Sequence, residues 1–379
     1  MRQIVRPLVM LAALTATVVS AQAKPAHAKP VAAKPVTDCA LRDAPFSANT
    51  PLIDLLLSPA AKAVLDKYAP GRLSKMPPQF AGTNPPTFAA ILSLRQGALI
   101  TGLNKEQIAA ADAELRTLPV TAADKLARCA RYDNDVPSFS LPKGKKTVLM
   151  FEKINGFKDV PSFNAAHAAF LAMAERKGFT IVSTDKGGVF NAKSLKQFDA
   201  VIWNNISGDV LTLSQRKAFQ DYLVGGGAFI GVHGTAGDPV YFWDWYPDVL
   251  IGARFKMHPM SPQFQDARVA VDNAAHPVAA GLPAEWKMND EWYSFSSNPR
   301  MSGSRVIATL DEKTYSPVGA MGMDLRMGDH PIAWTHCIGK GRVFYSAIGH
   351  RPETYSHPNY VRMLENAVEW TTRSKTCTP

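Results

Sequence analysis

Two absences narrow this chain before any motif is read. No cysteines are spaced Cys-x-x-Cys and no histidines stand as His-x-His or His-Glu-x-x-His. Zinc ribbons, dithiol redox centres and metal sites carried on one local motif are therefore excluded. There is also no basic stripe interleaved with aromatic residues, so the net charge of +10 carries no nucleic-acid footprint. At most it supports a mild attraction to an anionic membrane or polysaccharide surface. Long apolar runs are missing too: Leu8 to Val19 is too short for a lasting membrane anchor, and no integral membrane span is expected.

That short run instead fits a cleaved leader. Arg2 and Arg6 precede it and Ala21-Gln22-Ala23 follows, so residues 1–23 read as a secretory signal peptide cleaved after Ala23. The expected location is periplasmic or secreted. Residues 24–37 repeat Lys-Pro pairs without apolar periodicity, as in an extended linker. All four cysteines, Cys39, Cys129, Cys337 and Cys377, follow the leader. An even count in an oxidising compartment favours disulfides, with three pairings open. Position near the ends of each block favours Cys39–Cys129 and Cys337–Cys377.

Residues 38–135 read as a small helical domain. One apolar face runs through Leu52, Ile53, Leu55, Leu56, Ala60, Val64 and Leu65, so a single helix is expected over 51–68. Asn104 to Gln107 has the pattern of a capping box, and Thr121 caps a helix over 122–131. From 145 to 373 the pattern alternates strand and helix. Apolar strands are expected at 147–151, 179–183, 200–203 and 228–232, with helices at 161–177 and 214–224. Short links between them imply a parallel sheet covered on both faces. Beyond His258 the texture is richer in strands, and Gly339-Lys340-Gly341 makes a hairpin turn before a final helix at 359–372.

The densest functional signal is Gly225-Gly226-Gly227 followed by Ala228-Phe229-Ile230-Gly231-Val232-His233-Gly234-Thr235. Small residues around the end of a buried strand let the backbone turn sharply and present one side chain, here an imidazole. Such turns lie at the carboxyl edge, where open α/β sheets bind ligands. His350, with Glu353, follows another strand, and an imidazole oriented by a carboxylate is an acid/base arrangement. In Asp290-Glu291-Trp292-Tyr293, extended geometry puts Asp290 and Trp292 on one side, Glu291 and Tyr293 on the other. Carboxylates beside aromatic faces suit sugar rings, and Trp243 and Trp245 add aromatic surface. His258, His276, His330 and His357 each precede proline and mark extended corners.

These stretches, with Gly252 to Pro259, Asn298-Pro299-Arg300, Leu310-Asp311-Glu312, Asp329 to Trp334 and Gly349-His350, make residues 147–372 resemble the trehalose-utilisation (ThuA-like) family. That resemblance implies a flavodoxin-like, class I glutamine amidotransferase-like fold. The amidotransferase elbow carries a cysteine, partnered by a later histidine and glutamate; here His233, His350 and Glu353 occupy those places. Without that cysteine, glutamine amidotransfer is excluded. Two residues rather than one separate His350 from Glu353. The family's histidine after Gly-Phe is replaced by Asp159, and its serine by Pro161.

The resulting expectation is an exported carbohydrate-processing protein acting on a disaccharide or keto-glycoside by acid/base hydrolysis or elimination. His233, His350, Glu353, Asp290 and Glu291 would be catalytic. Asp159, Trp243, Trp245, His258, Trp292, Tyr293 and His330 would bind the sugar. No cofactor is required. Two alternatives stay open: a non-catalytic sugar-binding or scaffold module, and a metal-dependent hydrolase using His233, His258 and His350.

Overall fold

A computed structural model describes residues 35–97, 101–374 and 376–377. The expected signal peptide and most of the linker lie outside them. Among the described residues no helix is long and apolar enough to cross a membrane.

The helical segment has its own apolar cluster, centred on Phe46, Leu52, Leu55, Leu65, Ile108 and Leu115. The single helix expected at its start is two, Leu52–Leu57 and Pro59–Tyr68. Pro59 disfavours helical geometry at Ser58, whose hydroxyl instead caps the second helix at Ala61 N. Both reciprocal bonds of a capping box form at Asn104–Gln107 and again at Thr121–Asp124. Cys39 bonds to Cys129 and Cys337 to Cys377. The segment docks on the α/β portion by polar contacts: Leu213 N donates to Asp38 O (2.9 Å), and the Tyr132 hydroxyl bonds Asp209 (2.8 Å).

The main sheet contains β1 (Thr147–Phe151), β2 (Thr180–Thr184), β3 (Ala200–Asn204), β4 (Ala228–Val232), β6 (Phe264–Val271), β7 (Glu285–Glu291), β9 (Arg305–Leu310), β10 (Pro331–Ile338) and β11 (Gly341–Ser346). A two-stranded ribbon pairs β5 (Phe255–Met257) with β8 (Ser294–Phe295). The nine strands lie in the order β2-β1-β3-β4-β11-β10-β9-β6-β7. β1, β3 and β4 are buried at every position, as parallel strands covered on both faces must be. Helices Val160–Lys177, Leu213–Val224 and Pro358–Thr372 supply the cover. In the first of these Phe163, Ala166, Phe170 and Met173 are buried, whereas Leu171, one position off their face, is exposed.

Parallel pairing holds from β2 to β11 only. From β11 through β10, β9 and β6 to β7 every pairing is antiparallel. The tight turn between β10 and β11 reverses the chain, and a parallel neighbour would have required a long crossover.

Candidate active site

Two adjacent strands end in strained residues. β3 and β4 run in register, Asn204 beside Val232, and the next residues, Asn205 and His233, have φ of +51° and +33°. Side chains other than glycine rarely adopt this region, and it persists only where surroundings hold it. Here the clamps are specific. Asn205 Oδ1 accepts from Gly234 N at 3.0 Å, Asn205 Nδ2 donates to the Tyr355 hydroxyl at 3.1 Å, and Tyr345 donates to His233 O at 2.9 Å. The sharp turn expected at His233 is therefore present, and the imidazole faces the carboxyl edge.

β11 lies parallel to β4, so the loop after it leaves the same edge. Ala347 O accepts a hydrogen bond from His233 Nδ1–H at 2.7 Å. Gly349 is held at φ +137°, and a Cβ there would meet the Tyr355 hydroxyl at 2.5 Å and His233 Cβ at 3.2 Å. Only glycine lets this loop pass so close to the histidine.

β7 brings the negative charge. It lies four strands from β11, yet its end reaches the same loop, so the antiparallel half curls back over the edge. Asp290 is fully buried and accepts from the backbone N–H groups of Glu291, Gly349, His350 and Arg351 at 2.8–3.1 Å, and from Thr354 Oγ1 at 3.0 Å. Burial raises its pKa against the pull of His233 and these donors. Its contacts fix the backbone of the His350 loop.

Glu291 points the other way, into side chains. Its Oε2 lies 2.9 Å from His350 Nδ1 and 3.3 Å from His233 Nε2; its Oε1 lies 3.1 Å from His258 Nδ1 and also accepts from Gln263 Nε2. Burial alone would raise this carboxyl. The bonds from His233 and His350 and the charge of His258 outweigh that and hold its pKa well below the usual carboxylate range. Burial lowers the His350 pKa, but the Glu291 bond outweighs it and the net shift is upward. His233 Nε2 and His350 Nδ1 are 3.1 Å apart, so two imidazoles and a carboxylate converge on one point. That trio includes Glu291, not the His258 expected in a metal set.

The trio opens on a cavity of about 340 Å³, also lined by His258, Tyr293, Asp159, Asn205 and Asp238. That volume lies within the range, about 300–1,000 Å³, typical of small-molecule pockets. The expected alternation holds here: Glu291 and Tyr293 line the cavity, whereas Asp290 and Trp292 do not. Tyr293 lies 4.2 Å from the His233 ring.

Other expected residues are placed elsewhere. Glu353 is exposed and pairs with Arg351, and Glu291 stands beside His350 instead. Its position in a turn of 3-10 helix starting at Pro352 carries it outward. Trp292 is fully buried, with its indole N–H on Gln265 O at 2.8 Å, so it has no face for a sugar. Trp243 and Trp245 stack on each other; Trp243 borders a separate space of about 30 Å³, about the room of one water. His330 is enclosed between Glu312 and Tyr293 O, each at 2.8 Å, and supports Tyr293 from behind.

Several lining residues escaped the sequence reading. Asn205 had a legible signal, since the carboxyl-edge rule used for β4 applies equally to β3. Asp238, buried beneath the cavity, accepts from Ser207 Oγ (2.6 Å) and Gly208 N (2.7 Å), and burial pushes its pKa up to about 7. Phe80, Phe88 and Ile91 reach the cavity from the helical segment, which periodicity alone could not place there.

The trehalose-utilisation (ThuA) family model matches residues 147–371. No curated protein matches the chain. Among solved structures, a ThuA-like protein from Bacteroides uniformis ATCC 8492 is 26% identical, covering 62% of this chain and 94% of that one, with a TM-score of 0.53. Another, from Parabacteroides merdae ATCC 43184, is 17% identical over 62% of this chain and 93% of that one, with a TM-score of 0.46. With the carboxyl-edge histidines in place and well over half its length matched, the chain belongs to the trehalose-utilisation family.

Proposed function

We propose that the protein is an exported enzyme that cleaves a small glycoside, by hydrolysis or elimination, using Glu291-oriented imidazoles as acid and base. The observation that carries this is the 2.9 Å contact between Glu291 and His350 Nδ1 on the wall of the cavity. A carboxylate on Nδ1 fixes the ring and raises its proton affinity, leaving Nε2 to exchange a proton with substrate. His233, with its Nδ1–H committed to Ala347 O, turns Nε2 toward His350 Nδ1 (3.1 Å) and Glu291 Oε2 (3.3 Å), where it can pass a proton to or from that pair. Asp159 and His258 line the same cavity, and their polar atoms suit sugar hydroxyls. The family's link with trehalose suggests the substrate class, and two disulfides fit an oxidising compartment.

The test is to follow sugar release from trehalose, sucrose and their 3-keto forms. His350→Ala should lower the rate by about 10²–10⁴-fold. Absence of turnover on every sugar, together with identical sugar binding by the wild type and this variant, overturns the reading.

One observation favours a second reading, a divalent metal ion held by His233, Glu291 and His350. A carbonyl can only accept, so His233 keeps one proton on Nδ1; its Nε2 donates to Glu291 Oε2 at 3.3 Å only when the ring carries a second proton, and otherwise turns a lone pair toward that oxygen. Two electron-rich atoms so placed need a proton or a cation between them. Two imidazoles and one carboxylate with an open side form a ligand set of catalytic zinc and non-haem iron. Such an ion would polarise a bound water or carbonyl. Elemental analysis of protein purified without a histidine tag separates the readings. One metal per chain, lost in Glu291→Gln, selects the second; full turnover without metal selects the first.

A further inference from the structure

The helical segment does more than dock. Phe80 and Phe88 stack at 4.8 Å with 18° between their planes, Phe88 meets Phe157 at 5.0 Å, and Phe157 lies 6.3 Å from the His350 ring. Ile91 and Met260 line the same cavity. A continuous apolar wall therefore runs from residues 80–91 to the imidazole centre.

This wall is anchored. Thr87 N donates to Asn155 O at 3.0 Å, tying the segment to the loop after β1 that carries Phe157. Gly156 allows the approach, since a Cβ there would stand 2.5 Å from Ile91 Cγ2. Even so, Phe157 is 40% exposed and Met260 49%, so apolar surface stays open at the mouth. The polar side chains on this loop lie off the apolar wall: the Ser162 hydroxyl turns back to Asp159 O (3.3 Å), and Asp159, which accepts from Ser162 N through Oδ2 (2.9 Å), belongs with the polar side of the cavity.

The cavity is thus two-sided. Ionisable and amide groups gather at His233, Glu291, His350, Asn205, Asp159, His258 and Gln263, whereas Phe80, Phe88, Ile91, Phe157 and Met260 have no hydrogen-bonding side chain. A second sugar ring laid on this wall would lose water from its hydroxyls without finding partners. An aryl or alkyl group would lose nothing and gain apolar contact. Resting on the glycoside reading above, we infer that the substrate carries an apolar aglycone, and that Phe80, Phe88, Ile91, Phe157 and Met260 form its subsite.

The experiment is calorimetric titration of the full chain with 4-nitrophenyl and n-octyl glucosides of both anomers, trehalose, glucose and free 4-nitrophenol. The aryl or alkyl glucoside of one anomer should bind about 10- to 100-fold more tightly than glucose or trehalose. Phe157→Ala, at an exposed ring, and Phe88→Leu, which keeps apolar volume, should each weaken that ligand about tenfold and leave glucose unchanged. Thermal melting confirms that both variants fold. Trehalose binding as tightly as the aryl glucosides, or variants weakening every ligand equally, overturns the subsite. If 4-nitrophenol binds through Phe88 and Phe157 while no sugar contributes affinity, the apolar subsite stands and the glycoside reading fails.

Discussion

The two halves of the sheet furnish the site with different things by different means. The parallel half ends three strands at one edge, and the residues just beyond them, Asn205, His233 and the loop to His350, are placed by backbone geometry. The antiparallel half ends β7 in two neighbouring carboxylates whose alternation sends them to separate tasks. Asp290 collects backbone donors, and Glu291 collects imidazoles. Rings come from tight turns and charge comes from an extended strand, so neither half holds a centre alone.

The largest expected effect comes from removing the charge while keeping the strand. Glu291→Gln should cost about 10²–10⁴-fold in kcat/KM, because His350 loses the partner that raises its pKa. If protonated His350 is the acid, wild-type activity falls as pH rises through that raised value. In the variant this alkaline limb should move to lower pH. A pH–rate profile with an unmoved limb would uncouple the two halves. Asp290→Ala is next. It strands four backbone N–H groups and one hydroxyl in a buried place, for about 3–5 kcal/mol of stability by urea denaturation. Little loss would mean that the His350 loop is held by the parallel half alone.

The same division explains what could be read in advance. Buried apolar runs fix β1, β3 and β4 locally, and the turn at His233 follows from small residues beside a strand end. The pairing of His350 with Glu291 depends instead on the curl of the antiparallel half, which no local pattern encodes. Glu353 stood three residues from His350 and was the natural partner by sequence; a helical turn carries it into solvent. Trp243, Trp245 and Trp292 have the size that suits stacking on a sugar, but Trp292 fills the core and the other two pack on each other. Phe80 and Phe88 arrive through docking between segments, which depends on tertiary contact alone.

Asp238 sharpens the comparison, since it is a buried carboxyl contributed by the parallel half. Its partners are a hydroxyl and one N–H, not imidazoles, and burial wins: its pKa rises from 3.8 to about 7. A raised folded pKa gives stability that is complete below the unfolded value and lost as pH rises through the folded one. Between about pH 4 and pH 8 the wild type should therefore lose up to about 4 kcal/mol more than Asp238→Asn. Denaturant midpoints across that range test this. Parallel curves for the two proteins would show that Asp238 is ionised throughout, as Glu291 is.

The smallest effect isolates the strain itself. His233→Gly and His233→Ala both remove the imidazole, so they lose the Ala347 bond and the contact with Tyr293 equally. They differ in tolerating φ of +33°, which costs alanine and not glycine. Glycine should therefore be the more stable variant by about 1 kcal/mol. At Glu291, in an extended strand, the order should reverse, because glycine there gains nothing and gives up more chain entropy. Denaturation of the four variants decides the matter. Alanine ahead of glycine at both positions would mean that His233 sits at ease in its turn, and the contrast between a strained parallel edge and a relaxed antiparallel strand would fall.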